Sequence, residues 1–151
     1  MAGRPGHPFL IGTLVVDTSV VFGALDRFDP SHPACASALT SGTTVVIPAP
    51  VIVEVDWLAR SRGRRGAAQT LLAGVLDGSM LVANLDESDY ARVAALVEGY
   101  DDLPLSLVDA SVVTIAERLG EETIATLDHR HFSVVRPRHV ASFTLVPSLQ
   151  A

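Results

Sequence analysis

The sequence contains no lysine, because all eleven basic residues among its 151 are arginine. A P-loop nucleotide site and a pyridoxal Schiff base both need a lysine, so neither can be built here. A phosphatase that relies on a lysine beside its aspartate is excluded as well. The single cysteine, Cys35, rules out an internal disulfide and a multi-cysteine zinc site, which suits a reducing cytosol.

Long hydrophobic runs are also missing. The apolar segments have the length of strands, far below the ~20 residues that span a membrane. The N-terminal "MAGRPGHPFLIGT" has an apolar segment of only three residues, so it does not resemble a secretory signal. The sequence therefore predicts a cytoplasmic protein without a membrane span.

The composition is that of a globular domain, with 48% hydrophobic and 19% charged residues. A chain of this size can bury roughly 68 to 70% of its unfolded surface, which suffices for a core. We expect an N-terminal extension over residues 1–12, one domain over 13–147 and a tail over 148–151.

Beta-branched runs alternate with helical patterns, which predicts an α/β fold with a mostly parallel sheet of four or five strands covered on both faces. The expected strands are 13–17, 43–47, 80–83 and 123–127, with 133–135 as a further candidate and 142–146 as an edge strand. The expected helices are 19–25, 33–41, 51–60, 67–76, 87–98 and 107–119.

Two acidic residues end predicted strands: Asp17 in "LVVDTSVV" and Asp128 in "TIATLD". Ligands of open parallel sheets bind outside the carboxyl ends of the strands. An aspartate at this junction can cap the following helix, but Thr18 or Ser19 could equally do so, and the position therefore favours Asp17 as a ligand for a cation.

Two further acids begin predicted helices. Glu54 follows Pro50 at the edge of an apolar stripe, where it is either a site residue or a favourable charge near the helix N-terminus. Asp109 follows Ser106 with the spacing of a capping box, and "LVDASVV" surrounds it with apolar and small residues. Asp109 can therefore act both as a helix cap and as a ligand.

The segment "TLDHRHF" adds His129, Arg130 and His131 after Asp128. Two histidines without a third nitrogen or sulfur ligand do not make a zinc site. We expect His129 and Arg130 to be exposed, and His131 to pack or to meet substrate. The pair Asp101 and Asp102 is most simply a solvated turn.

Like charges gathered at one place raise one another's pKa, so four clustered acids would need a hard cation at neutral pH. Ligation by oxygen alone selects Mg²⁺ or Mn²⁺. The net charge of −6 argues against a polyanion partner. Four arginines nevertheless crowd into "ARSRGRR" (Arg60, Arg62, Arg64, Arg65), where they either hold phosphates or form a solvated helix end.

The motifs "VVDTSVV", "PAPVIVEVDWL", "LSLVDASVV" and "IATLDHRHF", in this order and at these spacings, resemble the acidic motifs of PIN-domain nucleases, particularly VapC-type toxins. The resemblance covers about residues 13–136. It implies a three-layer α/β/α sandwich and a divalent-metal-dependent endoribonuclease acting on structured RNA. It also implies a homodimer and a VapB-like antitoxin as partner.

The same resemblance implies roles for individual residues. Asp17, Glu54, Asp109 and Asp128 would form the catalytic and metal-binding pocket, with Asp17 and Asp109 as direct ligands and Glu54 or Asp128 orienting the attacking water. A second group would contact substrate or support the carboxylates: Ser19, Arg64, Arg65, Arg130 and His131.

Two other interpretations stay open on the sequence. In a degenerate PIN or receiver-like binding module, the acids would serve only as helix caps. A phosphatase acting on small phosphate esters would share the metal but needs an aspartate nucleophile, and position 19 is serine rather than a second aspartate.

Overall fold

The computed structural model describes residues 12–149. Of the predicted N-terminal extension, only Gly12 lies within this range. Of the predicted tail, only Ser148 and Leu149 do.

Five parallel strands form one sheet in the described part of the chain, which confirms the predicted parallel sheet, and their order is β3-β2-β1-β4-β5. The neighbouring strands are held in register by pairs such as Val15 with Val46 and Val15 with Ile124. The strands are β1 (Thr13–Val16), β2 (Thr44–Pro48), β3 (Met80–Ala83), β4 (Thr123–Ala125) and β5 (Thr144–Val146).

Seven helices lie within residues 12–149, and six of them match predicted segments. They are α1 (Thr18–Leu25), α2 (His32–Leu39), α3 (Ala49–Ser61), α4 (Ala67–Leu76), α5 (Glu87–Gly99), α6 (Leu107–Leu119) and α7 (His129–Val134). The candidate strand at 133–135 is wrong, because this segment is the end of α7 and the residue after it. None of the helices in this range is long and apolar enough to cross a membrane.

The strand order fixes where the helices lie. The chain moves from β1 to β2 to β3 in one direction and then returns past β1 to reach β4 and β5. Right-handed crossovers therefore place α1 to α4 on one face of the sheet and α5 to α7 on the other. Since the chain leaves β1 and β4 towards opposite faces, a crevice opens at the carboxyl ends of these two adjacent strands.

The sheet is buried on both faces, which explains its nearly continuous valine and isoleucine content. Val15, Val16, Ile47 and Ile124 are fully shielded from solvent. Beside the sheet, α1 and α2 approach so closely that a Cβ atom at Gly23 would lie 2.7 Å from Cys35 Sγ. Only glycine permits this contact without a shift.

Candidate active site

Asp17 lies at the carboxyl end of the central strand β1, and only 4% of its surface is exposed. Its backbone N–H donates to the Ala125 carbonyl at 2.9 Å, which continues the pairing of β1 with β4. Asp17 is the N-cap residue of α1 by position, but its side chain accepts no capping hydrogen bond. Its carboxylate is therefore available for a role other than capping.

Two hydroxyl groups hold the Asp17 carboxylate. Thr126 Oγ1 donates to Oδ2 at 2.8 Å, and Ser19 Oγ donates to the same oxygen at 3.1 Å. The hydroxyls also accept from the loop after β4, since Leu127 N–H donates to Ser19 and Asp128 N–H to Thr126, each at 2.9 Å. Ser19 thus contacts both the Asp17 carboxylate and the backbone of Leu127.

The charge on Asp17 is poorly compensated. Burial and the nearby negative charge of Asp109 raise the pKa of Asp17 from 3.8 to about 6, against the opposing effect of the hydrogen bonds from Thr126, Thr18 and Ser19. No arginine or histidine among residues 12–149 lies within ion-pair distance of it. A buried carboxylate in this state is stabilised by a cation.

Asp109 begins α6 and forms the predicted capping box with Ser106. Its N–H donates to Ser106 Oγ at 3.0 Å, and its Oδ2 accepts from the Ser106 N–H at 3.2 Å. Burial raises the pKa of Asp109 despite these bonds, and the charge of Asp128 raises it further while His131 lowers it. Asp109 therefore caps α6, and the nearby acidic groups still influence the pKa of its carboxyl group.

Asp128 follows β4 and caps the short helix α7. One carboxylate oxygen accepts from the His131 N–H at 3.1 Å, and the other contacts His131 Nδ1. His131 therefore supports a carboxylate. Arg130 is exposed as expected, but the prediction for His129 is wrong: its ring is half-buried, and its Nε2 has no hydrogen-bond partner in the described part of the chain.

Glu54 lies on α3, half-buried in an open groove of about 520 Å³. Val108, the neighbour of Asp109, lines the same groove. Glu54 makes no hydrogen bond or ion pair with any residue in 12–149. Asp109 thus lies within electrostatic reach of both Asp17 and Asp128, while Glu54 on α3 makes no hydrogen bond to any of the three.

The donor chemistry fits a hard divalent ion. The candidate ligands are carboxylate oxygens, which suit Mg²⁺ or Mn²⁺. No group of three or more His, Cys, Asp or Glu side chains within 12–149 is gathered closely enough to hold a metal by itself. Mg²⁺ usually keeps several waters and binds through one or two carboxylates plus substrate phosphates, so a pair such as Asp17 and Asp109 is compatible with it.

Thr126 is a supporting residue that the sequence did not single out. It is fully buried and contacts both Asp17 and the backbone of Asp128. A hydroxyl two positions before an acid at the end of a predicted strand was the available signal. The side chain of Thr18 is also buried, and its Oγ1 finds no partner among the described residues.

Arg64 and Arg65 lie away from the carboxylates, in the turn between α3 and α4. Arg64 Nε pairs with Asp26 at 3.0 Å, at the end of α1 remote from Asp17. Arg65 is exposed. The structure does not bring these arginines to the acidic site.

Comparison with known proteins identifies the family. The PIN domain matches residues 14–136. The chain belongs to the PIN-domain family. It is 31% identical over 135 residues to ribonuclease VapC26 of Mycobacterium tuberculosis, which covers 89% of this chain and all of that protein.

Several solved structures share the fold of this PIN domain. VapC20 of Mycobacterium tuberculosis, a sarcin-ricin-loop-cleaving toxin, superposes with a TM-score of 0.68 at 20% identity, covering 74% of this chain and 86% of that one. A toxin–antitoxin complex from Klebsiella pneumoniae gives 0.62 at 18% identity, covering 89% and 96%. VapBC2 of Rickettsia felis, bound to promoter DNA, gives 0.62 at 15% identity, covering 88% and 96%.

Proposed function

We propose that this PIN-domain protein is a divalent-metal-dependent endoribonuclease, the toxin of a toxin–antitoxin pair, which cleaves structured RNA with Mg²⁺ or Mn²⁺. One observation carries the proposal: the buried Asp17 carboxylate has no basic partner among the described residues and shares its surroundings with Asp109. The related ribonuclease VapC26 supports RNA as the substrate.

The proposed roles follow from the contacts. Asp17 and Asp109 would hold the ion, which when bound activates water and offsets charge on the scissile phosphate. Thr126 and Ser19 fix the orientation of the Asp17 carboxylate. Asp128, held by His131, and Glu54, free of protein partners in the described chain, are the candidates to orient the attacking water.

The test is cleavage of total RNA with Mg²⁺ or Mn²⁺, followed by mapping of the cut ends. Asp17→Asn and Asp109→Asn should abolish cleavage while the protein stays folded, and EDTA should abolish it in the wild type. Asp102→Asn is the matched control, because Asp102 is exposed in the turn after α5. Full activity of either site variant, or of the wild type in EDTA, would refute the nuclease.

A binding module without catalysis is the second candidate. It is favoured by the caps that Asp109 and Asp128 provide to α6 and α7. In that case Mn²⁺ would not raise the melting temperature, and the asparagine variants would melt at the same or a lower temperature than the wild type.

The partners in the proposal are an antitoxin and a second copy of the chain in the cytoplasm. The antitoxin is supported by the toxin–antitoxin complexes solved with this fold. The homodimer is supported by exposed apolar side chains at Val53, Trp57 and Leu107, which are 71%, 66% and 67% accessible. Light scattering should report a dimer, and Trp57→Arg should shift it towards the monomer.

A further inference from the structure

Two arginines lie over one exposed phenylalanine, near the end of α1 opposite Asp17. The guanidinium carbons of Arg27 and Arg64 lie over the Phe28 ring, at 4.9 and 5.2 Å from its centroid. Arg62 lies in the same way over Phe22, at 5.1 Å. We call the group of Arg27, Phe28, Arg62, Arg64 and Arg65 the arginine cluster.

Asp26 holds the arginine cluster in place. Only 7% of its surface is exposed, and its two carboxylate oxygens accept from the Phe28 N–H at 3.1 Å and from Arg64 Nε at 3.0 Å. One aspartate thus joins the turn after α1 to the turn between α3 and α4. The relative positions of Phe28 and Arg64 are set before any ligand arrives, which lowers the entropic cost of binding.

The positive charge of the cluster is only partly neutralised. Asp26 pairs with Arg64, but no carboxylate in residues 12–149 lies within ion-pair distance of Arg27, Arg62 or Arg65. All three are exposed. In a chain whose net charge is −6, three neighbouring unpaired guanidiniums form a local basic surface. Arg64 and Arg65 also line a polar groove of about 490 Å³, together with Arg60 and the Asp56 carboxylate that pairs with it.

Phe28 is the feature that distinguishes among anionic ligands. It is 67% exposed, so much of its ring stays accessible beside the two guanidiniums. RNA bases stack on aromatic rings and on guanidinium planes, and guanidinium forks pair with phosphates. An acidic peptide would use the charges but not the ring. The combination therefore favours a single-stranded segment of RNA.

The distance from the acidic site fits one bound strand. Asp17 precedes α1 and Asp26 follows it, so the eight residues of this helix separate them by about 12 Å. At about 3.4 Å per stacked base, this corresponds to roughly three to four steps along a strand.

We propose that the arginine cluster is a second RNA-binding surface, which holds phosphates through Arg27, Arg62 and Arg65 and stacks a base at Phe28. The surface anchors the substrate to one side of the carboxylates. It rests on the proposed ribonuclease function for its biological meaning, but RNA binding can be measured without cleavage.

The test uses the full chain in EDTA, with fluorescence anisotropy of a short labelled single-stranded RNA at several salt concentrations. Arg27→Ala, Arg62→Ala and Arg65→Ala should each weaken binding and reduce the slope of log affinity against log salt by about 0.7, the value for one phosphate contact. Phe28→Leu should weaken binding by roughly five-fold or more while the slope stays unchanged. Arg64 is left intact, because its loss would leave Asp26 unpaired.

Arg136→Ala is the matched control, because Arg136 is exposed after α7 and forms no ion pair within residues 12–149. It should change neither affinity nor slope, and thermal melting should show all variants folded. Wild-type affinity and slope in the three arginine variants would overturn the proposal. The proposal would also be overturned if the variants kept their affinity for RNA but lost affinity for a polyglutamate peptide. That result would identify the cluster as a protein-binding surface.

Cleavage separates this proposal from the nuclease proposal. With Mn²⁺ present, the cluster variants should raise KM for RNA and leave kcat close to that of the wild type, since the cluster lies away from the reacting phosphate. If the wild type binds RNA through the cluster but never cleaves it, only the nuclease proposal fails. If it cleaves RNA with unchanged KM in the variants, only the cluster proposal fails.

Discussion

Thr126 Oγ1 donates a 2.8 Å hydrogen bond to Asp17 Oδ2, although the two residues are 109 positions apart in the chain. Both groups are almost completely shielded from solvent. The same hydroxyl accepts from the Asp128 N–H. One side chain of the loop after β4 thus connects the acids that end two neighbouring strands.

Removing the Thr126 hydroxyl should impair the proposed metal site. Thr126→Val takes away a donor to Asp17, and we expect a 10- to 100-fold loss in metal affinity or cleavage, the usual effect of losing a hydrogen bond to a ligand. Thr126→Ser keeps the hydroxyl and should retain most of the activity. The dependence of cleavage on Mn²⁺ concentration measures the effect, and equal curves for valine and serine would contradict it.

Asp17→Asn should stabilise the metal-free protein at neutral pH. The folded state raises the pKa of Asp17 from 3.8 to about 6, so it binds the proton more tightly than the unfolded chain. The ionised group then costs the fold about 3 kcal/mol above pH 6, and this cost shrinks as the pH falls through 6 and vanishes below 3.8.

The melting temperature of Asp17→Asn in EDTA should therefore exceed that of the wild type by several degrees at pH 7, and the two should converge near pH 4. Asp102→Asn removes an exposed charge and serves as the control. A gap that does not change with pH would show that the charge of Asp17 is not the cause.

Metal affinity should follow the ionisation of Asp17. A carboxylate binds a cation only after it loses its proton, so apparent Mn²⁺ affinity should rise by about tenfold per pH unit up to about pH 6 and level off above it. The rise in melting temperature with Mn²⁺ at each pH provides the affinity. Affinity that stays constant between pH 5 and pH 7 would exclude Asp17 as a ligand.

Arg92 should be important for stability and not for chemistry. Its guanidinium forms two bonds to the Glu117 carboxylate, at 2.8 and 2.9 Å, between α5 and α6. Both side chains are largely buried, so Arg92→Ala leaves the Glu117 charge with only the Arg138 N–H as a hydrogen-bond donor among the described residues and should cost about 3 kcal/mol in unfolding free energy.

The exposed pair of Arg60 with Asp56 offers the comparison for Arg92. Arg60→Ala should cost less than about 1 kcal/mol. Urea denaturation gives both values, and similar losses for the two variants would contradict the assignment. Cleavage per folded molecule should be unchanged in Arg92→Ala.

The sequence predicted most of the fold because its local signals agreed with one another. Turn residues bound the short apolar run of β3, and Ser106 with Asp109 marks the start of α6, so both elements were predicted with the bounds that the structure shows. The helix α7 was missed because "HRHFSV" has too few residues to show a helical period. The bond from the His131 N–H to the Asp128 side chain marks its start.

The candidate site was less predictable than the fold. The sequence indicated Asp17 and Asp128 as site residues because both follow predicted strands, and the carboxyl ends of parallel strands lie at the same edge of the sheet. The support from Thr126 depends on the pairing of β1 with β4 across more than a hundred residues, which no local pattern records. The distance of Arg64 from the carboxylates likewise follows from its tertiary contact with Asp26.

The placement of Asp17 on the middle strand has a consequence for control of the protein. Backbone amides in the centre of a sheet open only when the whole domain unfolds, and they exchange with solvent last. Local unfolding is therefore an ineffective way to inactivate the site around Asp17. An inhibitor has to shield the carboxylates from outside, and its release restores a centre that never lost its shape.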